Sequence, residues 1–231
     1  MAHRRAELTD NLAAVQARIA SAARAASRDP AEVNLVVITK TWPAADVRLL
    51  AGLGITDVGE NRDQEAAPKA RQVADLGLRW HFVGQLQTNK ARSVAGYADV
   101  VESVDRLRLV TALDRAAVDA NRRLTCLVQV GLATQPGRGG GAPATVLDLA
   151  AAVAAAQQLD LGGVMAVAPL GEDPLSAFAR LAEVAATVQA EHPTATVISA
   201  GMSGDLEAAI GCGATHVRVG SAVLGHRPSV G

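Results

Sequence analysis

The sequence predicts a single (β/α)8 barrel with one extra helix at its N-terminus, and three observations carry that reading. Eight short apolar, β-branched runs alternate with Ala-rich helical segments between residues 33 and 225. The runs VNLVVIT (33–39) and TCLVQV (125–130) are nearly continuous in apolar character, as strands buried on both faces of a parallel sheet require. A chain of 231 residues is also the length at which one such barrel forms a single domain. Residues 1–231 therefore read as one domain, with a helix in 1–30 and the barrel in 33–225.

The elements follow in order. Leu8, Leu12, Val15 and Ile19 recur at helical spacing within residues 3–27, and Asp29-Pro30 ends the pattern. Strands are expected at roughly 33–39, 55–59, 79–83, 99–103, 124–130, 161–167, 195–199 and 215–219. After the fifth, residues 133–143 (ATQPGRGGGAP) have no period and are dense in Gly and Pro, which reads as a mobile loop. Its Gly139-Gly140-Gly141 run is either a phosphate cradle or plain flexible chain. A doubly wound open sheet is the competing topology. Against it, no Gly-x-Gly-x-x-Gly follows the first strand: Gly52-x-Gly54 precedes a strand and has Asp57 where a third glycine would stand.

Composition narrows the function. With 49% hydrophobic and 19% charged residues there is ample material for a core and no sign of disorder. A formal charge of -1 gives no field for a phosphate backbone, and 2% aromatics leave little to stack bases on, so nucleic acid is not expected as a partner. No apolar stretch approaches a membrane span, and the N-terminus is amphipathic without an apolar signal region, so a soluble, cytoplasmic chain is expected. Cys126 and Cys212 sit in apolar surroundings and read as small buried side chains, with no disulfide. The histidines at 3, 81, 192, 216 and 226 have no metal-ligand spacing, so no metal is expected.

Barrel active sites are built at the C-terminal ends of strands, so polar residues just after apolar runs carry information. Here they are Lys40, Glu60-Asn61, Gly84-Gln85, Ser199 to Ser203, and Gly220-Ser221. The chain has 22 basic residues, of which only Lys40, Lys69 and Lys90 are lysines. Arginine thus serves wherever a generic positive charge suffices, and a lysine at a strand mouth suggests that an amine was needed, since guanidinium cannot condense with an aldehyde. The competing reading of Lys40 is a lysine snorkelling from a strand end. Ser199-Ala-Gly-Met-Ser203 opens a helix through Leu206, Ala209 and Ile210, and Gly220-Ser221 opens a short one ending at Leu224. Both are either anion sites or ordinary helix caps, and Asp205 and Glu207 favour the cap. Arg218, between Val217 and Val219, points to the side opposite both, where it pairs with a barrel carboxylate or with a ligand.

The segments ITKTWP (38–43), GENRDQE (59–65), WHFVGQLQTNK (80–90), ESVDRL (102–107), GVMAV (163–167), GMSGDLEAAI (201–210) and VRVGSAVLG (217–225) resemble those of the pyridoxal phosphate homeostasis proteins. These are single barrels similar to the N-terminal domain of alanine racemase. The resemblance implies that pyridoxal 5'-phosphate (PLP) is held as a Schiff base on Lys40. It puts Ser203, Gly220 and Ser221 at phosphate-binding positions, with Ser199 and Met202 nearby, Arg218 against the pyridine nitrogen, and Asn61 and His81 lining the ring. The loop after the fifth strand departs from the family, having Arg138 where a lysine is usual.

The resemblance implies a monomeric carrier that buffers PLP or passes it to apo PLP-dependent enzymes. A PLP-dependent racemase is the alternative. Alanine racemase adds a second domain with a catalytic tyrosine, whereas this sequence ends shortly after the eighth strand and its only tyrosine is Tyr97. A permanently charged arginine at the ring nitrogen also weakens the ring as an electron sink, which disfavours catalysis. An aldolase-like Schiff-base barrel would share the lysine and phosphate site but leave Arg218 unexplained.

Overall fold

A computed structural model of the protein describes residues 2–132 and 143–225. Eight parallel strands close into a barrel in sequence order. They are β1 (Asn34–Ile38), β2 (Asp57–Glu60), β3 (Arg79–Phe82), β4 (Val100–Val104), β5 (Leu124–Gln129), β6 (Leu159–Met165), β7 (Val197–Ser199) and β8 (His216–Val219). β8 pairs back onto β1 with Val36 opposite Arg218, which removes any free edge. Each expected strand is present, with ends shifted by no more than two residues.

The helices around it are α1 (Ala2–Ala25), α2 (Ala44–Ala51), α3 (Asp63–Gln72), α4 (Ala91–Ala95), α5 (Leu107–Ala120), α6 (Pro143–Ala154), α7 (Pro174–Glu191), α8 (Leu206–Gly211) and α9 (Ser221–Leu224). The expected Gly-rich loop after β5 lies outside the described residues except for Pro143, which opens α6.

The apolar stripe of α1 buries Leu8, Leu12, Val15 and Ile19 in one cluster with Leu50, Leu206, Ile210, Val223 and Leu224 of the helices it packs against, each such side chain worth about 1.5–3 kcal/mol. α1 also fixes the chain ends beside α8 and α9. Asn11 donates to the Val223 carbonyl at 3.0 Å, and Arg18 to the Ser203 carbonyl at 3.0 Å. The rest of the shell between sheet and helices holds Phe82, Val101, Leu113, Leu149, Phe178 and Leu181.

Inside the barrel the filling is divided. Val100, Leu127 and Met165 form a small apolar layer. Val36 and Ile38 add apolar side chains beside Gly59, and the rest is largely polar, with Asp57, His81, Glu102, Ser199 and Arg218 all buried. Strand alternation explains both sides: Trp80 and Phe82 flank His81, Val217 and Val219 flank Arg218, and these neighbours belong to the outer shell. Both cysteines are free, and one departs from expectation. Cys126 is buried, but Cys212 is only half-buried, because it caps the end of α8 at the surface, with its thiol 3.6 Å from the Leu175 carbonyl.

Candidate functional site

Lys40 lies in the turn after β1, exposed at the C-terminal mouth of the barrel. The Trp42 amide donates to the Thr39 carbonyl at 3.1 Å, closing a four-residue turn with Lys40 second and Thr41 third. The three lysines differ sharply. Lys69 is buried against Glu60 and donates to the Thr39 carbonyl at 2.8 Å, and Lys90 lies 3.9 Å from Asp63. Lys40 has no hydrogen-bond or ion-pair partner among the described residues.

Ser203 and Ser221 come together although 18 residues separate them, their hydroxyl oxygens 3.3 Å apart. Ser203 does not cap its own helix. α8 starts at Leu206, and the Ser203 hydroxyl instead accepts the Ala222 amide of α9 at 3.3 Å. The acidic residues that favoured the cap reading are both engaged: Asp205 turns back to accept the Met202 amide at 2.6 Å, and Glu207 takes Arg18 at 2.7 Å. The amides of Ser203, Gly204, Gly220 and Ser221 have no acceptor among the described residues. Two hydroxyls and four free amides thus form a cup suited to a tetrahedral oxyanion. Met202, whose side chain is exposed, contributes its backbone to this loop.

Arg218 and Ser199 lie deeper. Arg218 donates to the Ser199 hydroxyl at 2.6 Å and to the Ala166 carbonyl at 2.8 Å. Ser199 in turn donates to Glu102 at 2.6 Å, and Glu102 lies 3.6 Å from the guanidinium. Burial pulls Arg218 below its ordinary value while Glu102 supports the charge. The pairing of Arg218 with a barrel carboxylate is therefore real.

His81 sits on the far side of Glu102 with both ring nitrogens taken, Nδ1 by Glu102 at 2.7 Å and Nε2 by Asp57 at 2.9 Å. Burial opposes its protonation, but the two carboxylates outweigh that and raise its pKa above 6.5. Burial likewise opposes ionisation of Asp57 and Glu102, yet hydrogen bonds from His81 bring each down to about 2. Asp57, His81, Glu102 and Arg218 thus form a line in which each carboxylate faces a basic group, the condition under which buried ions are tolerated. With both nitrogens occupied, the His81 ring has no free polar atom of its own.

Asn61 follows β2, and its buried Oδ1 has no partner among the described residues. Its backbone is pressed by the turn after β3: a Cβ on Gly84 would stand 2.1 Å from the Asn61 carbonyl oxygen, so only glycine fits. Glu60, next to it, turns outward to Lys69 and to the Thr39 hydroxyl at 2.7 Å.

Sequence reasoning left Glu102, Asp57, Glu65 and Lys69 unassigned. Glu102 carried the same signal as Arg218, a charge inside an apolar strand (DVVESV, 99–104). The role of Lys69 had no such signal, because its partner is set by the packing of α3 on the β1 and β2 ends.

The closed eight-stranded barrel, with a lysine at its mouth and paired serines after β7 and β8, is of the alanine racemase N-terminal domain class, whose model matches residues 11–228. Within that class the chain belongs to the pyridoxal phosphate homeostasis protein family. Relatives of that name from Mycobacterium tuberculosis and Escherichia coli K12 are 45% and 37% identical, covering 97% and 96% of this chain and 94% and 97% of their own lengths. The solved structure of PipY from Synechococcus elongatus PCC7942 with PLP bound has a TM-score of 0.83 and 34% identity, covering 94% of this chain and all (100%) of that one. Alanine racemase from Streptomyces coelicolor shares the fold alone, at a TM-score of 0.76 and 17% identity over 97% of this chain and 59% of the racemase.

Proposed function

We propose that this chain holds PLP as a Schiff base on Lys40 and takes part in PLP homeostasis in the cytoplasm, as a monomeric single-domain carrier that buffers the cofactor and passes it to apo enzymes. The observation that carries the reading is the amine of Lys40 at the barrel mouth, unpaired among the described residues and set against the engaged amines of Lys69 and Lys90. The residues present fit the group. The Ser203, Gly204, Gly220 and Ser221 cup suits its phosphate, and the orphaned Asn61 Oδ1 is left for the ring or its hydroxyl. Arg218, held in place by Ser199 and Glu102, supplies a fixed positive charge for the ring nitrogen.

Bound there, PLP supplies an aldehyde that condenses with an amine and a ring able to withdraw electrons. The surroundings of the ring favour retention over catalysis. Arg218 remains charged and discourages protonation of the ring nitrogen, and Tyr97, the only tyrosine, is packed edge-on against Trp80 at 6.3 Å with its hydroxyl buried. Among the described residues no helix is long and apolar enough to cross a membrane.

Borohydride reduction of the PLP-loaded protein, followed by peptide mass spectrometry, is expected to place the pyridoxyl adduct on Lys40. An adduct confined to Lys69 or Lys90 would overturn the assignment. Mixed with an apo PLP enzyme, the loaded chain should restore activity in a Lys40-dependent manner and racemise no common amino acid. Turnover of an amino acid that disappears in Lys40→Ala would make the chain an enzyme.

A further inference from the structure

Thr41 has a left-handed φ of +68°, although it is neither glycine nor asparagine. It occupies the third position of the Thr39–Trp42 turn, where a positive φ ordinarily calls for glycine. A β-branched residue in that region is strained and persists only when its surroundings hold it. The holding group is on α3: Glu65 accepts the Thr41 amide at 3.1 Å. One helical turn further on, Lys69 reaches the peptide on the other side of Lys40, donating to the Thr39 carbonyl at 2.8 Å. Glu65 and Lys69 are four residues apart on α3 and so share one face.

We infer that Glu65 and Lys69 are positioning residues that clamp the two peptides flanking Lys40, fixing the direction of its amine and thereby the rate at which cofactor is released. The inference rests on the PLP reading of the site. Glu60 anchors the clamp from beneath: it pairs with Lys69 and accepts the Thr39 hydroxyl at 2.7 Å, so the Lys69 ammonium is fixed between a carboxylate and a peptide carbonyl. With both flanking peptides tied to one helix, the Lys40 backbone cannot pivot independently of α3. Freeing either peptide lets the turn relax towards an unstrained φ and swings the amine away from its set direction.

The clamp can be loosened without emptying the core. Glu65 is half-buried, and Glu65→Gln keeps its size while weakening a charge-assisted bond. Lys69→Met keeps the length of the buried chain and removes the cation that opposes the burial-driven rise of the Glu60 pKa. Arg48→Met serves as control, since it breaks the exposed Arg48–Asp75 pair and the Arg48 bond to the Gln72 carbonyl at the end of α3 without touching the turn.

Each PLP-loaded protein would be followed by the decay of its visible imine band in excess hydroxylamine and by the pH at which that band titrates. Release about tenfold faster, as loss of one charged hydrogen bond implies, is expected in Glu65→Gln and Lys69→Met, together with a displaced imine titration. Arg48→Met should match the wild type. Unchanged decay and titration in both clamp variants, or equal acceleration in Arg48→Met, overturns the clamp. A wild-type chain that shows no imine band overturns the cofactor reading itself, and the clamp with it.

Discussion

Inside the barrel, Glu102 touches three groups at once: His81 at 2.7 Å, the Ser199 hydroxyl at 2.6 Å and the Arg218 guanidinium at 3.6 Å. Lys40 has no such partner among the described residues, and the two therefore answer mutation differently. Glu102→Gln removes the one carboxylate that faces both His81 and Arg218, and it should cost about 3–5 kcal/mol in denaturant unfolding, the range for breaking a buried ion pair. Lys40→Ala removes an exposed side chain and should change stability by less than about 0.5 kcal/mol while abolishing the imine band. If Glu102→Gln unfolds like the wild type, the line of charges is not what fills the barrel. The positions of Lys40 at the mouth and Arg218 inside the barrel were legible in the sequence for reasons that generalise. An amine stood out in a chain that otherwise uses arginine, and a charge stood out between two valines. The Glu65 and Lys69 clamp was not legible, because a half-exposed glutamate and a lysine on a polar helix look like any solvated pair until α3 is laid against the β1 turn.

At the level of elements, the strand pattern could be read because period and apolar content decide it, and all eight strands lie within two residues of their expected positions. Cap chemistry could not. The Ser203 hydroxyl reaches α9 rather than α8, a long-range choice that Asp205, only two residues away in sequence, makes possible by folding back on Met202. Gly201 sets up that loop. Its φ is +91°, and a Cβ there would stand 2.7 Å from the Ala209 Cβ and 3.0 Å from the Leu206 Cα, so the loop can lie on α8 only with glycine at this point. Gly201→Ala should cost about 1–3 kcal/mol and also weaken PLP binding, because the loop it displaces carries Ser203. Ser203→Ala should weaken binding about tenfold, the value of one hydrogen bond to a charged group, with little change in folding. Equilibrium dialysis beside thermal melts separates the two. A Ser203→Ala chain that melts early but binds normally would make this hydroxyl a cap and nothing more.

For the molecule as a whole, the same buried groups set how stability depends on pH. The two histidines at the centre, with ring centroids 6.3 Å apart, are displaced from their ordinary pKa in opposite senses. His81 is raised above 6.5, so it adds stability that is fully present below pH 6.5 and lost as pH climbs through its folded value. His216 is lowered to about 4, first by burial and then by the His81 charge, with Glu102 and Asp57 opposing the change. It must stay neutral in the fold, so its contribution is present above pH 6.5 and lost as pH falls towards about 4. Glu60, raised by burial, acts in the opposite sense over the acid part of that window, and Asp57 and Glu102 give up their contributions only on the way down to about 2. A single profile mixes all of these, but one substitution separates them. His216→Gln removes the His216 proton, so near pH 5 the variant should recover about 2 kcal/mol relative to its own deficit at neutral pH, from about 1.4 kcal/mol for each tenfold difference in proton affinity between the folded and unfolded chain. The alkaline limb, to which His81, Tyr97 and Cys126 contribute because each is raised in the fold, should keep its slope. Urea unfolding of both proteins across the range from acid to alkaline would read the difference directly, and parallel profiles on the acid side would mean that His216 is already protonated in the folded barrel.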